Sequence, residues 1–250
     1  MFVAASTRCF ADLSLDAALQ RLVDLEYTSV EIMIHEADGH LKPSAVLADV
    51  EAAIRICRQT QRLTPCALSV DMDMADEKEY YARFAACCTV AKAIKVVTLT
   101  VRAGELGTPF NAEVERLRAL AAIAAREGVR VGLLTETGRM SQDPDTAVVL
   151  CDSVPGLGIS LDPSHFVYGP HHGGSFEQVM PHVYHVRLRD TSRQQLQVRV
   201  GQGEIEYGRL INQLNKVGYD RALCVDILPL PDLDQAAELR KMRLLLESLL

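Results

Sequence analysis

Four residues near the ends of apolar runs have the right types to do chemistry together. Glu136 follows VGLLT, Asp162 and His165 follow GISL as the tetrapeptide DPSH, and Asp226 closes ALCVD. Three carboxylates and an imidazole are donors that hold Mn, Mg, Co or Zn, and a pair of carboxylates can exchange a proton on carbon by acid and base catalysis. A lone D-x-x-H is weak by itself, because Asp beside Pro is also ordinary turn chemistry; its place directly after an apolar run singles it out. Arg187, Arg189 and Asp190 close a further run, HVRLRD. Arginine has no lone pair to give a metal, so Arg187 suits a bidentate bond to a carboxylate of the protein, or to a carboxylate or phosphate of a substrate. Glu31 and His35 accompany SVEIMI and can reach a substrate hydroxyl, Asp71 and Asp73 end another run, and His171 and His172 sit in the glycine-flanked loop YGPHHGGS. Exposed loop histidines are commonly idle, and the alternative for Glu136 is a solvated loop carboxylate or a structural ion-pair partner.

Such residues act together only if the fold brings the ends of those runs to one place. Runs 2–6, 29–34, 64–70, 94–100, 129–135, 157–161, 183–188 and 222–227 read as strands. Helical patterns lie between them. Ser14 fits an N-cap for LDAALQRLVDLEY, whose Leu15, Leu19, Leu22 and Leu25 recur at helical intervals. Pro43 fits the start of a helix over 44–61, Asp76 caps one reaching 91, and AEVERLRALAAIAAREG stops at Gly128 in the position that favours glycine. Asp143-Pro144 opens another, and 207–217 and 232–250 complete the series. Strand and helix alternate at a spacing of roughly 30 residues, which predicts parallel βαβ units. Eight such units in 250 residues match a (β/α)8 TIM barrel, whose chemistry sits at the carboxyl ends of its strands. A doubly wound open sheet is the alternative, but no GxGxxG follows the first strand and there is no P-loop lysine motif. No Ser/Gly linker or shift in composition divides residues 1–250, so a single barrel domain is expected.

Composition excludes several function classes. The formal charge is −7, with 26 basic against 33 acidic residues, the reverse of a nucleic-acid footprint. No apolar run approaches the roughly 18 residues of a bilayer span, and the N-terminus shows no signal-peptide pattern. The seven cysteines are odd in number, lack CxxC spacing and mostly lie in apolar runs. They read as reduced core residues, so a soluble cytoplasmic protein is expected.

LLTETG, LDPSHF, HVRLRD and GQGEIEYGRLINQLNKVGYDRALCVDI resemble the sugar phosphate isomerase/epimerase superfamily, the xylose-isomerase-like TIM barrels. The resemblance spans essentially the whole chain and is most specific from 129 to 227. It implies a divalent metal held by a Glu from strand five, an Asp and often a His from strand six, a His on strand seven and a Glu on strand eight, with the glutamates exchanging a proton at a sugar carbon. On that pattern Glu136 is the first glutamate, Asp162 a ligand and His165 a site residue. Two positions depart from it. The family's H-x-H-x-K-D reads His185-Val186-Arg187-Leu188-Arg189-Asp190, so Arg187 replaces the usual ligand histidine, and Asp226 replaces the second glutamate. His185 shares a face with Arg187 but lies about 6 to 7 Å deeper along the strand, as a core histidine. Arg189 and Asp190 match the Lys-Asp pair in charge, at the rim. The expected ligand set is Glu136, Asp162, His165 and Asp226, holding Mn, Mg, Co or Zn, or no metal if Arg187 has displaced it.

The resulting expectation is a sugar isomerase or epimerase in which Glu136 removes a proton beside a carbonyl and Asp226 returns it. Arg187, His165, Glu31, His35, Arg189 and His171 would contact substrate. A dehydratase starting with the same abstraction, and a metal-free barrel that binds an anionic ligand through Arg187 without turnover, remain open. The endonuclease branch needs more histidine ligands than residues 70–74 and 97–101 supply. The expected partner is a small carbohydrate or hydroxy acid, with neither nucleic acid nor membrane. Barrels of this kind often form homodimers, although no interface patch stands out in the sequence.

Overall fold

In a computed structural model that describes residues 1–72, 76–231 and 233–250, the eight apolar runs are eight parallel strands. They are β1 (Phe2–Ser6), β2 (Ser29–His35), β3 (Thr64–Asp71), β4 (Thr98–Arg102), β5 (Arg130–Leu134), β6 (Leu157–Leu161), β7 (Val183–Leu188) and β8 (Ala222–Val225). Each pairs with the next and β8 pairs with β1, so the sheet closes into the expected (β/α)8 barrel. Asp73 and Met74, and the expected start of the last helix at Asp232, lie outside the described residues.

Two faces of each strand meet different surroundings, because successive side chains alternate. Outward residues such as Ile32, Leu68, Leu99, Val131, Ile159 and Val186 join the large apolar core beneath the helices. Inward residues are largely polar yet buried, among them Ser6, Glu31, Ser69, Thr100, Ser160, His185 and Arg187. Ala4, Ala222 and Cys224, with Cys66 beside them, form a small apolar cluster of their own. A polar interior must satisfy its own donors and acceptors, and the Thr100 and Ser160 hydroxyls do so 2.9 Å apart.

Local chemistry sets the helix ends. The Ser14 hydroxyl accepts the Ala17 N–H at 3.3 Å and opens α1 (Leu15–Asp24), which buries Ala18, Leu19 and Leu22. The single helix expected over 44–61 is instead two, α2 (Pro43–Ala48) and α3 (Val50–Arg58). Asp49 breaks it: its backbone is non-helical and its carboxylate accepts the Ala52 N–H at 2.8 Å. Side-chain competition of that kind is what makes Asp favour caps over helix interiors. The fourth strand starts at Thr98 rather than 94, because α4 (Glu77–Ala93) occupies the preceding residues and Lys95 takes a left-handed conformation (φ 63°) before the strand begins. No helix among the described residues is long and apolar enough to cross a membrane.

Deep in the barrel a register shift where β6 meets β7 sets Ile159 opposite Val183 and Ser160 opposite His185. The extra residue, Tyr184, lays its ring in the space that a Cβ at Gly158 would need. The Arg130 guanidinium covers that ring, its Cζ 5.2 Å from the ring centre, and limits where the ring can go. Gly158→Ala is therefore expected to destabilise the barrel by about 1–3 kcal/mol, as for other overpacked cores. Urea denaturation would check this, and adding Tyr184→Ala should return much of the loss.

Candidate active site

Glu136 lies two residues beyond the end of β5, and its carboxylate is not free. Arg102, the last residue of β4, forks onto it with Nε 2.8 Å from Oε2 and Nη2 2.5 Å from Oε1. The remaining amino group of Arg102 donates to Asp71 Oδ2 at 3.0 Å. Adjacent strands supply this arrangement, because β4 pairs with both β3 and β5. Burial alone would raise the Glu136 carboxyl, but the hydrogen bonds and charge of Arg102 outweigh it and hold the group below the usual glutamate range.

Asp162, just past β6, and Asp226, just past β8, are joined by one arginine. Arg189 Nη2 donates to Asp162 Oδ2 at 2.7 Å and to Asp226 Oδ2 at 2.9 Å. Arg8, two residues beyond β1, adds a 3.2 Å bond to the same Asp226 oxygen. The other oxygen of Asp162 accepts the Ser164 N–H at 3.1 Å and the Ser164 hydroxyl. Burial would raise the Asp226 carboxyl, but Arg189, Arg8 and Arg187 together pull it below its usual value. Two buried polar atoms here have no partner, Asp226 Oδ1 and Arg189 Nε.

One layer down, Arg187 forks onto Glu31, with Nε 3.0 Å from Oε2 and Nη2 2.7 Å from Oε1. His185 Nε2 lies 3.5 Å from Glu31 Oε1, and the Cys224 thiol donates to Glu31 Oε2 at 3.5 Å. Burial opposes ionisation of Glu31, yet Arg187 and then His185 hold its carboxyl well below the usual value, while burial pushes the Cys224 thiol up. Glu31, His185 and Cys224 offer ligand atoms within 4.8 Å of one another, close enough by type and distance to hold a metal ion. The guanidinium forked on Glu31 and the thiol on its other oxygen already occupy that carboxylate, while His185 Nε2 is left without a hydrogen-bond partner. Glu31 is wholly buried, so the structure places it under the site rather than within reach of a substrate hydroxyl.

His165 stands on a short helix (Ser164–Tyr168) with its ring fixed. The Thr137 backbone N–H donates to Nδ1 at 3.1 Å, which requires a lone pair there and puts the proton of a neutral ring on Nε2. Burial, helped by the charge of Arg189, lowers its pKa and keeps the ring neutral. Nε2 lies 3.8 Å from Asp162 Oδ2. His35, at the end of β2, has Nε2 2.7 Å from the Ser69 hydroxyl, and burial and then Arg187 lower its pKa as well.

These groups surround a cavity of about 210 Å³ whose wall includes Arg8, His35, Ser69, Arg102, Glu136, His165, Arg187 and Arg189. Asp162 and Asp226 are not on that wall; they stand behind Arg189 and Arg8. His171 is also elsewhere, with its ring against Phe166 and Nε2 3.1 Å from the Ser175 carbonyl. Sequence reading missed Arg8 and Arg102, although Arg102 ends β4 and Arg8 lies two residues beyond β1. Tested against the implied ligand set, the residues do not fit a divalent ion: Arg102 holds Glu136, and Arg189 Nη2 sits between Asp162 and Asp226 where such an ion would take its oxygens.

A barrel with its charged groups gathered at the carboxyl ends is a widespread architecture. A family model described as the xylose isomerase-like TIM barrel matches residues 19–245. The chain belongs to that family. Among solved structures, this xylose isomerase-like barrel is similar to 3-keto-D-glucoside 4-epimerase YcjR from E. coli, at 14% identity and a TM-score of 0.75, over 99% of each chain. It is likewise similar to the probable 3-DHS dehydratase AsbF from Bacillus anthracis, at 16% identity and a TM-score of 0.73, again over 99% of each chain. A xylose isomerase-like barrel from Mycobacterium smegmatis in complex with magnesium aligns at 16% identity and a TM-score of 0.75, covering 99% of this chain and 97% of that one. No curated protein matches the chain.

The buried Arg187–Glu31 fork makes a stability prediction. Arg187→Met leaves a buried carboxylate unpaired and should cost about 3–5 kcal/mol, whereas Glu31→Gln/Arg187→Met together should recover most of it. Because the folded-state pKa of Glu31 is depressed, its contribution is present above the unfolded value near 4.5 and is lost as pH falls below it. Urea titrations from neutral pH down to the acid range should show that decline in the wild type and a shallower one in the double variant.

Proposed function

We propose that this barrel is an enzyme that isomerises or epimerises a small sugar or hydroxy-acid derivative by exchanging the proton on the carbon beside a carbonyl. The observation that carries the reading is the cavity wall, where an ionised carboxylate and two neutral imidazoles face one space. In this reading Glu136 takes the proton from carbon, since Arg102 keeps it ionised at neutral pH. The same pairing weakens Glu136 as a base, so the carbon acid must be made stronger by donors at its oxygen. His165 supplies one such donor, because its Nε2–H is the only ring proton its fixed tautomer leaves. His35 belongs to β2, four strands from β6 around the ring of eight, and is placed to move a proton at the other side of a bound substrate. It takes the part first expected of Asp226, which is screened from the cavity by Arg8 and Arg189.

Structural relatives include a sugar epimerase and a dehydratase by name, and this supports the class of chemistry. Elimination of a β-hydroxyl begins with the same abstraction and is the second reading. Incubation with ketoses, aldoses and their hydroxy-acid derivatives in D2O, followed by proton NMR, separates them. An epimerase or isomerase washes one carbon-bound proton out of the substrate, while a dehydratase also forms a new alkene or ketone signal. Glu136→Gln is expected to slow the exchange about 10²–10⁴-fold. A wild-type protein that exchanges no proton in any of these compounds would remove the proposal.

A further inference from the structure

We infer that guanidinium groups stand in for a divalent metal in this site, and that Arg189 is the group that meets the oxygen of the reacting carbonyl. The inference rests on the proposed proton exchange for the identity of that oxygen, but its geometric part is independent of it. Three observations point the same way. Arg189 Nη2 bridges Asp162 Oδ2 and Asp226 Oδ2 at 2.7 and 2.9 Å, so one oxygen of each aspartate already accepts from an arginine and Asp226 Oδ1 alone is left without a partner. Both oxygens of Glu136 accept from Arg102. Arg187, at the family's histidine position, has no lone pair and turns down onto Glu31.

Charge agrees with geometry. Around the two buried aspartates, the half-buried Arg8 and the buried Arg189 already balance two negative charges with two positive ones. Adding a divalent ion there would leave an uncompensated charge in low dielectric, which costs several kcal/mol. A metal would first have to expel Arg189.

The fourth observation says what the arginine is for. Arg189 is on the cavity wall, is 3% exposed, and keeps a buried Nε–H with no partner. A buried donor left unpaired is destabilising unless a ligand meets it. The class of group that would satisfy it is an oxygen carrying developing negative charge, as an enediolate does. In that step the C–H bond beside the carbonyl breaks and its proton goes to Glu136. The C–H electron pair forms the new C=C bond, and the carbonyl π pair moves onto oxygen. That oxygen accepts from Arg189 Nε–H and His165 Nε2–H, and return of a proton to carbon restores the carbonyl. No oxidant, reductant or further reactant is needed.

The test has one arm that does not depend on activity. The full chain, purified without chelator and desalted, is assayed for Mn, Mg, Co, Ni and Zn, and its thermal midpoint is then followed on titration with each chloride. Substoichiometric metal and an unmoved midpoint are expected. Near one equivalent of any of these metals, or a midpoint that rises on adding it and falls on adding EDTA, would overturn the inference. The second arm follows the D2O exchange. EDTA should leave the rate unchanged, while Arg189→Met and the milder Arg189→Lys should each lose about 10²–10³-fold, the usual loss for a missing oxyanion donor. Full activity in Arg189→Lys, or EDTA-sensitive exchange, would also overturn it. Absence of exchange in the wild type would instead sink the proposed reaction, with the metal titration still deciding whether guanidinium has replaced the ion.

Discussion

The carboxyl ends of this barrel depend on arginine–carboxylate pairing in a polar interior, forked at Arg102 and Arg187 and bridging two aspartates at Arg189. Glu31, Asp162 and Asp226 have no exposed surface, and three unpaired carboxylates so close together could not all stay ionised. Arg187 pairs with Glu31, Arg189 with Asp162 and Asp226, Arg8 with Asp226, and Arg102 with Glu136 and Asp71. A guanidinium suits this work better than an ammonium, since its planar fork meets two oxygens at once and does not give up its proton. The pairs are arranged in tiers that follow the strand repeat: Glu31 with Arg187 below, and Glu136, Asp162 and Asp226 with Arg102 and Arg189 above. The lower tier supports the upper, because a shift of Arg187 would release a buried charge directly beneath the cavity.

Pinning of this kind also fixes protonation. Arginine pairing holds the Glu31, Glu136 and Asp226 carboxyls below their usual range, and burial lowers the pKa of both cavity histidines. His165 is further restricted by a backbone N–H on Nδ1, so one tautomer with one outward donor remains. A single backbone bond therefore decides which proton the site can present, and it does so through the turn after β5 rather than through any residue on the sixth strand.

Much of the fold was legible in the sequence. The eight apolar runs and their turn signals follow from burial on both faces of parallel strands, and Glu136, His165, Arg187 and Arg189 could be placed at strand ends by counting. Asp49 shows where such reading stops: the same residue type caps a helix or sits inside one, and only the packing of α2 and α3 chooses. The partners of the arginines were not legible at all. Which carboxylate Arg102 meets depends on β4 lying between β3 and β5 in a given register, and a lone Arg after an apolar run gives no sign of it. For the same reason Asp162 and Asp226 were readable as strand-end carboxylates, but not as residues screened behind guanidinium groups. A histidine in a glycine-flanked loop can fold over the mouth or away from it, and here the His171 ring lies against Phe166 with Nε2 3.1 Å from the Ser175 carbonyl.

The two departures from the family's pattern make physical sense together. A metal needs ligands whose lone pairs converge on open space, so a glutamate reaching inward from strand eight and a histidine on strand seven are suited to it. A guanidinium needs the reverse: carboxylates drawn back against the wall, with the donor between them and the cavity. Shortening the eighth-strand side chain by one methylene withdraws Asp226 to where Arg189 can bridge it to Asp162 at 2.7 and 2.9 Å. Replacing the histidine by Arg187 removes the remaining neutral ligand and supplies the charge that keeps Glu31 ionised below. Either change alone would leave a defective metal site, either an ion short of a ligand or a buried carboxylate short of a partner. Under the inference drawn above, the two changes together turn the implied ligands into supports and put fixed guanidinium charge where an exchangeable ion would otherwise be held.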